Sequence, residues 1–112
     1  MECAIIGYTR GKGEREPTFG ALHIPRFEGG EWKYYGKVGT GFDEPTMRSI
    51  TADLGKLSRI KRPLKEKTDD EARSVWVEPK LTCEVQFGSF TEDGLLREPV
   101  FLRMRPDLTT ET

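Results

Sequence analysis

Apolar positions recur with two different periods along the 112 residues. From Glu2 to Tyr8, β-branched and apolar residues run almost without interruption, which predicts a strand closed by Gly7 and the polar loop Thr9–Pro17. Thr18–Phe27 and Glu31–Val38 predict two more strands. Glu28-Gly29-Gly30 joins them, and paired glycines supply the positive φ that a tight primed hairpin turn demands. Further on, Leu81, Cys83, Val85 and Phe87 alternate with Thr82, Glu84, Gln86 and Gly88. That two-residue period marks a strand with one face buried and one face wet. Asp93-Gly94, within Thr91–Gly94, predicts a turn into a last strand over Leu96–Met104, with a polar tail beyond Pro106.

Between these blocks the period changes. Met47, Ile50, Leu54 and Leu57 fall at spacings of three and four, one face of a helix that packs on a core. Asp43 suits its N-cap, Glu44 complements the helix dipole, and Pro45 fits the first turn. Gly55 weakens the far end, so the helix stops there or by Ser58. Arg59–Arg73, with Pro63 and no periodicity, reads as a long exposed connection. Three strands, a helix and two strands make an all-β chain: a five-stranded OB-fold barrel with one helix between strands 3 and 4. The barrel spans residues 1–108, with 109–112 a loose tail. An SH3-like barrel lacks a helix of this length.

Net charge is -1, from 18 Lys+Arg against 19 Asp+Glu, which taken whole argues against a nonspecific nucleic-acid binder. The distribution reverses that inference. Residues 1–67 hold 13 basic and 9 acidic side chains, while residues 68–112 hold 5 and 10. A basic front can meet a polyanion that the average conceals. No apolar run approaches a membrane span, and no leader-like segment opens the chain, so a cytoplasmic location is expected. Cys3 and Cys83 stand far apart with His23 the single histidine, too few ligands for a zinc site, so both thiols are expected to be buried and no metal is expected.

Two glycine-rich stretches fail as nucleotide motifs. Gly7–Gly13 has three residues between its outer glycine and the Gly11-Lys12 pair where a P-loop needs four, and Gly13 replaces the required Ser or Thr. Gly36–Gly41 carries dinucleotide-type glycines in reversed spacing after a hairpin. The loop itself still has a use. Arg10, Lys12 and Arg15 lie within six residues, and the glycines let backbone N–H groups approach an anion. A second basic run, Arg59, Lys61, Arg62, Lys65 and Lys67, can neutralise phosphates or merely solvate a linker. Tyr34, Tyr35, Phe42 and Trp76 can stack bases, though core or rim packing is the plainer role. His23 on a strand reads as a satisfied structural residue. Asp69 and Asp70 fall in the loose connection, where burial raises no pKa.

Several blocks, in order, resemble one family. Glu2–Arg15 (ECAIIGYTRGKGER) is similar to the start of the C-terminal OB domain of ATP-dependent DNA ligases, of the type in bacterial end-joining ligases and their archaeal relatives. The resemblance continues at Phe19–Leu22, Tyr35–Phe42, Trp76–Leu81, Thr91–Gly94, Leu96-Arg97 and Pro99, leaving only the connection near 59–73 without a counterpart. It implies nick sealing in DNA repair and end joining: a lysine adenylated from ATP with Mg2+, AMP passed to a 5′-phosphate, and displacement by a 3′-hydroxyl. The adenylated lysine of the family lies in a K-x-D-G motif of the nucleotidyltransferase domain, and no such motif occurs here. The chain is therefore expected to be an excised domain or half of a split ligase, inactive alone, with that nucleotidyltransferase domain and nicked duplex DNA as partners.

The family's last motif, R-x-D-K, corresponds to Arg105-Pro106-Asp107-Leu108. By this resemblance Arg105 and Asp107 orient ATP phosphates, and Leu108 departs from the pattern. Either Arg103 substitutes for the missing lysine, or the domain acts mainly in DNA binding. Arg10, Lys12, Arg15, Lys37, Arg59, Lys61 and Arg62 are the expected DNA contacts. A stand-alone OB module for single-stranded nucleic acid, without a catalytic role, and a barrel that binds an acidic protein are the other readings.

Overall fold

A computed structural model describes residues 1–11, 13, 18–64 and 71–108. Its strands are β1 (Glu2–Arg10), β2 (Phe19–Glu28), β3 (Glu31–Val38), β4 (Ser74–Gln86), β5 (Ser89–Phe90), β6 (Leu96–Arg97) and β7 (Val100–Met104), with helix α1 (Glu44–Gly55) between β3 and β4. Five of them form one antiparallel sheet in the order β3-β2-β1-β4-β7, and β5 and β6 pair as a separate small hairpin.

Local chemistry accounts for most of these boundaries. The Glu28↔Glu31 pair closes the first hairpin over Gly29 and Gly30, at φ 59° and 82°. Asp43 caps α1 by accepting from the Thr46 backbone N–H at 2.8 Å, and the buried face of the helix is Met47, Ile50 and Leu54. These join Ile5, Leu22, Ile24, Val38, Val77 and Val85 in the main core, with Cys3 and Cys83 buried as Cα partners across β1 and β4. Burial pushes the Cys3 thiol up to about 11 and raises Cys83 as well.

The sheet's two outer strands, β3 and β7, come close where the chain leaves β3. The Phe101 N–H donates to the Thr40 carbonyl at 2.9 Å, and Thr40 Oγ1 donates to the Pro99 carbonyl at 3.3 Å. Gly41 makes this possible. Its φ is 93°, and a Cβ there would fall 2.4 Å from the Phe101 carbonyl oxygen.

Three sequence expectations change. The fourth strand starts at Ser74, not Leu81, because Val75, Trp76 and Val77 are all buried and so show no alternation. Pro79 is tolerated there because it lies in the irregular stretch between the Ile5↔Leu81 and Gly7↔Trp76 pairs. The single last strand is two, β6 and β7, broken at Glu98, whose φ is 56°. Finally, the connection after α1 is not wholly exposed. The Ile60 N–H donates to the Trp76 carbonyl at 3.0 Å, the Glu78 N–H donates to the Ser58 carbonyl at 3.0 Å, and Leu64 is buried against Ile6 and Trp76. The segment satisfies the β4 edge that β7, paired only with Cys83–Gln86, does not reach. Residues 65–70 of the same connection lie outside the described residues.

Candidate functional site

β4 carries two clusters, one near each end, with Trp76 the Cα partner of Gly7 on β1 and Glu84 the Cα partner of Glu2. The first is built where β1 ends and β4 begins. Thr9 and Ser74 are Cα partners, and Arg73 Nη2 donates to the Arg10 carbonyl at 2.9 Å. That bond ties the base of the basic loop to the base of the basic connection. Arg10 is exposed at the end of β1, and Arg59 forms a bridge to Val77. Lys61 is exposed, whereas Arg62 Nε donates to the Leu64 carbonyl at 3.1 Å and so helps seat the connection. Lys37 lies on β3 as the Cα partner of His23, half-buried. Lys12 and Arg15 fall outside the described residues.

His23, across from Lys37, joins β2, β3 and the start of β4. Its Nδ1 is 2.8 Å from the Tyr34 hydroxyl and its Nε2 is 2.8 Å from Ser74 Oγ. Burial, with a smaller contribution from the Lys37 charge, holds its pKa down to about 4, so the ring is neutral at physiological pH. Serine, histidine and tyrosine in series resemble a nucleophile, base and orienter. The imidazole, however, has no exposed surface and stacks on Trp76. The arrangement is the satisfied structural histidine that the sequence predicts. The aromatic side chains pack as well: Tyr35 and Trp76 are buried, and Phe42 stacks on Phe101 with centroids 4.5 Å apart.

The second cluster forms where β7 leaves the sheet. The Arg105 N–H donates to the Thr82 carbonyl at 2.8 Å, which keeps the residue on the β4 edge after β7 ends. Its guanidinium makes a bidentate pair with Asp107, Nε to Oδ1 at 3.0 Å and Nη2 to Oδ2 at 2.8 Å. Nη1 lies 3.4 Å from Glu84 Oε1 and 3.8 Å from Glu2 Oε1. The Asp107 hydrogen bonds, then the surrounding carboxylates, raise the Arg105 pKa, and the same bonds hold the Asp107 carboxyl below its usual range. Leu108 is half-buried, its N–H donating to the Arg105 carbonyl at 3.1 Å. Arg103 Nε lies 3.4 Å from Glu84 Oε1. Arg105 and Asp107, which the family resemblance singles out, are in contact. Glu2 and Glu84 carried no signal, because only strand register makes them neighbours, and Arg73 carried none because its contact with Arg10 is made only by the fold. Among the described residues, no group of three His, Cys, Asp or Glu side chains could hold a metal ion, and no helix is long and apolar enough to cross a membrane.

Fold and clusters define a small antiparallel β domain that presents arginines and carboxylates in ordered pairs. A sequence model of the family described as "ATP dependent DNA ligase C terminal region" matches residues 15–108, and the chain belongs to that family. It is 36% identical over 112 residues to the multifunctional non-homologous end joining protein LigD of Pseudomonas aeruginosa, covering 96% of this chain and 13% of that protein. It is 34% identical over 124 residues to DNA ligase 1 of Methanosarcina barkeri, covering 96% of this chain and 22% of that protein. The ligase domain of M. tuberculosis LigD superposes with a TM-score of 0.86 at 27% identity, over 96% of this chain and 35% of that one. A mycobacterial DNA ligase D complexed with ATP and MES gives 0.79 at the same identity. The chain thus spans between an eighth and a quarter of the length of these curated relatives.

Proposed function

We propose that residues 1–108 form an OB-fold barrel that serves an ATP-dependent DNA ligase in two states, clamping nicked duplex DNA in one and orienting ATP phosphates during enzyme adenylation in the other. The bond from Phe101 to Thr40 supports barrel closure, since it joins the end of β3 to the far edge strand β7. The observation that carries the functional reading is Arg105. Its guanidinium is preformed and bidentate on a carboxylate, the geometry that also suits a phosphate, within a family match that runs through residue 108.

In this reading Arg105 and Asp107 form the ATP-phosphate-orienting motif, Arg105 contacting the phosphates and Asp107 holding the guanidinium edge until they arrive, and the complete ligase supplies Mg2+ and the adenylated lysine. Arg10, Lys12, Arg15, Lys37, Arg59, Lys61 and Arg62 contact the DNA backbone and position it without reading sequence. The setting is cytoplasmic DNA repair and end joining. The domain alone is inactive and grips DNA weakly, relying on its nucleotidyltransferase domain for the rest.

The test mixes the chain with that nucleotidyltransferase domain and measures lysine adenylation and nicked-duplex binding. Both should rise on mixing. No change in either sinks the proposal, and tighter binding to single strands than to nicked duplex favours a stand-alone single-strand module.

A further inference from the structure

Strand register places two like charges side by side. Glu2 on β1 and Glu84 on β4 are Cα partners, and Glu84 is in turn the partner of Arg103 on β7. Carboxylates directly opposite each other on adjacent strands repel. Arg105 relieves this pair, because its Nη1 lies within 3.8 Å of both.

The guanidinium is therefore held by two grips of different kinds. Glu84 is fixed on a central strand with its side chain only 24% exposed, whereas Asp107 sits in the turn beyond β7 with 60% exposed. Glu84 holds the Nη1 corner. Asp107 occupies the Nε/Nη2 edge, which is the edge that takes two oxygens at once. A phosphate competes with Asp107 for that edge and leaves the strand-borne grip in place.

We propose that Glu84, backed by Glu2, is a positioning residue for Arg105, fixing the guanidinium plane so that its bidentate edge faces the phosphate for which Asp107 stands in. This inference rests on the proposed role of Arg105 in adenylation. Glu84 touches no substrate; it acts through the arginine. Glu84 also pairs with Arg103, whose Nε lies 3.4 Å from its Oε1, but its effect on adenylation runs through Arg105 and should vanish once Arg105 is removed.

The experiment measures single-turnover adenylation by the ligase assembled from this chain and its nucleotidyltransferase domain, comparing wild type, Glu84→Gln, Arg105→Ala and the double variant. Glu84→Gln should slow adenylation at saturating ATP by about tenfold, shift half-saturating ATP by less than about twofold, and add nothing to Arg105→Ala. A wild-type rate for Glu84→Gln, or a loss that adds fully to that of Arg105→Ala, overturns the inference. If Arg105→Ala itself adenylates at the wild-type rate, the reading of Arg105 fails, and the inference falls with it. Should Glu84→Gln melt below the assay temperature, Glu2→Gln takes its place. A loss of about threefold, absent in the Arg105→Ala background, then supports the inference, and no loss overturns it. An independent readout uses the 112-residue chain alone. The Arg105 Nε–Hε NMR signal should move toward the free-arginine position in Glu84→Gln, and an unmoved signal counts against positioning.

Discussion

The His23 ring lies on the Trp76 indole, with centroids 4.5 Å apart and planes 27° from parallel. The stack spans β2 and β4 because the residue between them on β1 is Gly7, Cα partner of both. A Cβ on Gly7 would fall 2.8 Å from Trp76 Cε3 and 2.6 Å from the Val75 carbonyl oxygen. Gly7→Ala should therefore lift Trp76 off His23 and destabilise the fold by about 1–3 kcal/mol. Denaturant unfolding measures the cost, and a changed tryptophan emission in the folded variant reports the displaced indole. A neutral substitution with unchanged emission would contradict the packing.

Stability should fall on mild acidification. The His23 pKa is held down to about 4 by burial and the Lys37 charge, against 6.5 for the exposed side chain, so the unfolded chain takes up the proton first. The stabilisation is present above pH 6.5 and is lost as pH drops toward 4, by about 1.5 kcal/mol between pH 6.5 and 5. Urea midpoints at the two pH values test it. His23→Gln should be less stable at pH 6.5 and show a flatter pH profile, and an unchanged slope would assign the effect to other groups.

Leu64 anchors the segment after α1 against Ile6 and Trp76 with only 4% of its surface exposed. Leu64→Ala should cost about 2–3 kcal/mol and speed protease cleavage between Arg59 and Arg73. Cleavage at the wild-type rate would mean that the backbone bonds of Ser58 and Ile60 hold the segment without the side chain.

Arg10 is the described cation of the basic loop, set by the bond from Arg73 to its carbonyl. Arg10→Ala should weaken nicked-duplex binding equally across sequences and reduce the slope of log affinity against log salt by about 0.9. Binding titrations at several salt concentrations decide the matter. Sequence-dependent losses would point to base contact rather than phosphate contact.

Arg105→Ala separates the two proposed states. Adenylation in the assembled ligase should drop by about tenfold or more, while DNA binding stays within about twofold of wild type. Equal losses in both would indicate that the substitution damages the domain rather than one of its roles.

Much of this molecule is local and was readable from one chain. Periods of two and three to four, a Gly-Gly turn, an Asp43 cap and an Asp-Gly turn each express a backbone preference that needs no distant partner. They place β1, β2, β3 and α1 to within a few residues. The ordered motif blocks, Arg105 and Asp107 included, carried the family for the same reason. Other features have no local signature. The first residues of β4 are buried on both faces, so alternation vanished where the strand is most firmly held. Leu64 looked like part of a solvated run until the open β4 edge, and the indole beneath it, gave it a place to dock. Glu2, Glu84 and Arg105 become a cluster only through strand register, which joins residues more than eighty positions apart. The charge split between the two parts of the chain was likewise visible in composition. Its division into a cation group near the start of β4 and an arginine–carboxylate group near its end was decided by tertiary structure, since hydrogen bonding between strands, not proximity in sequence, sets which charges meet.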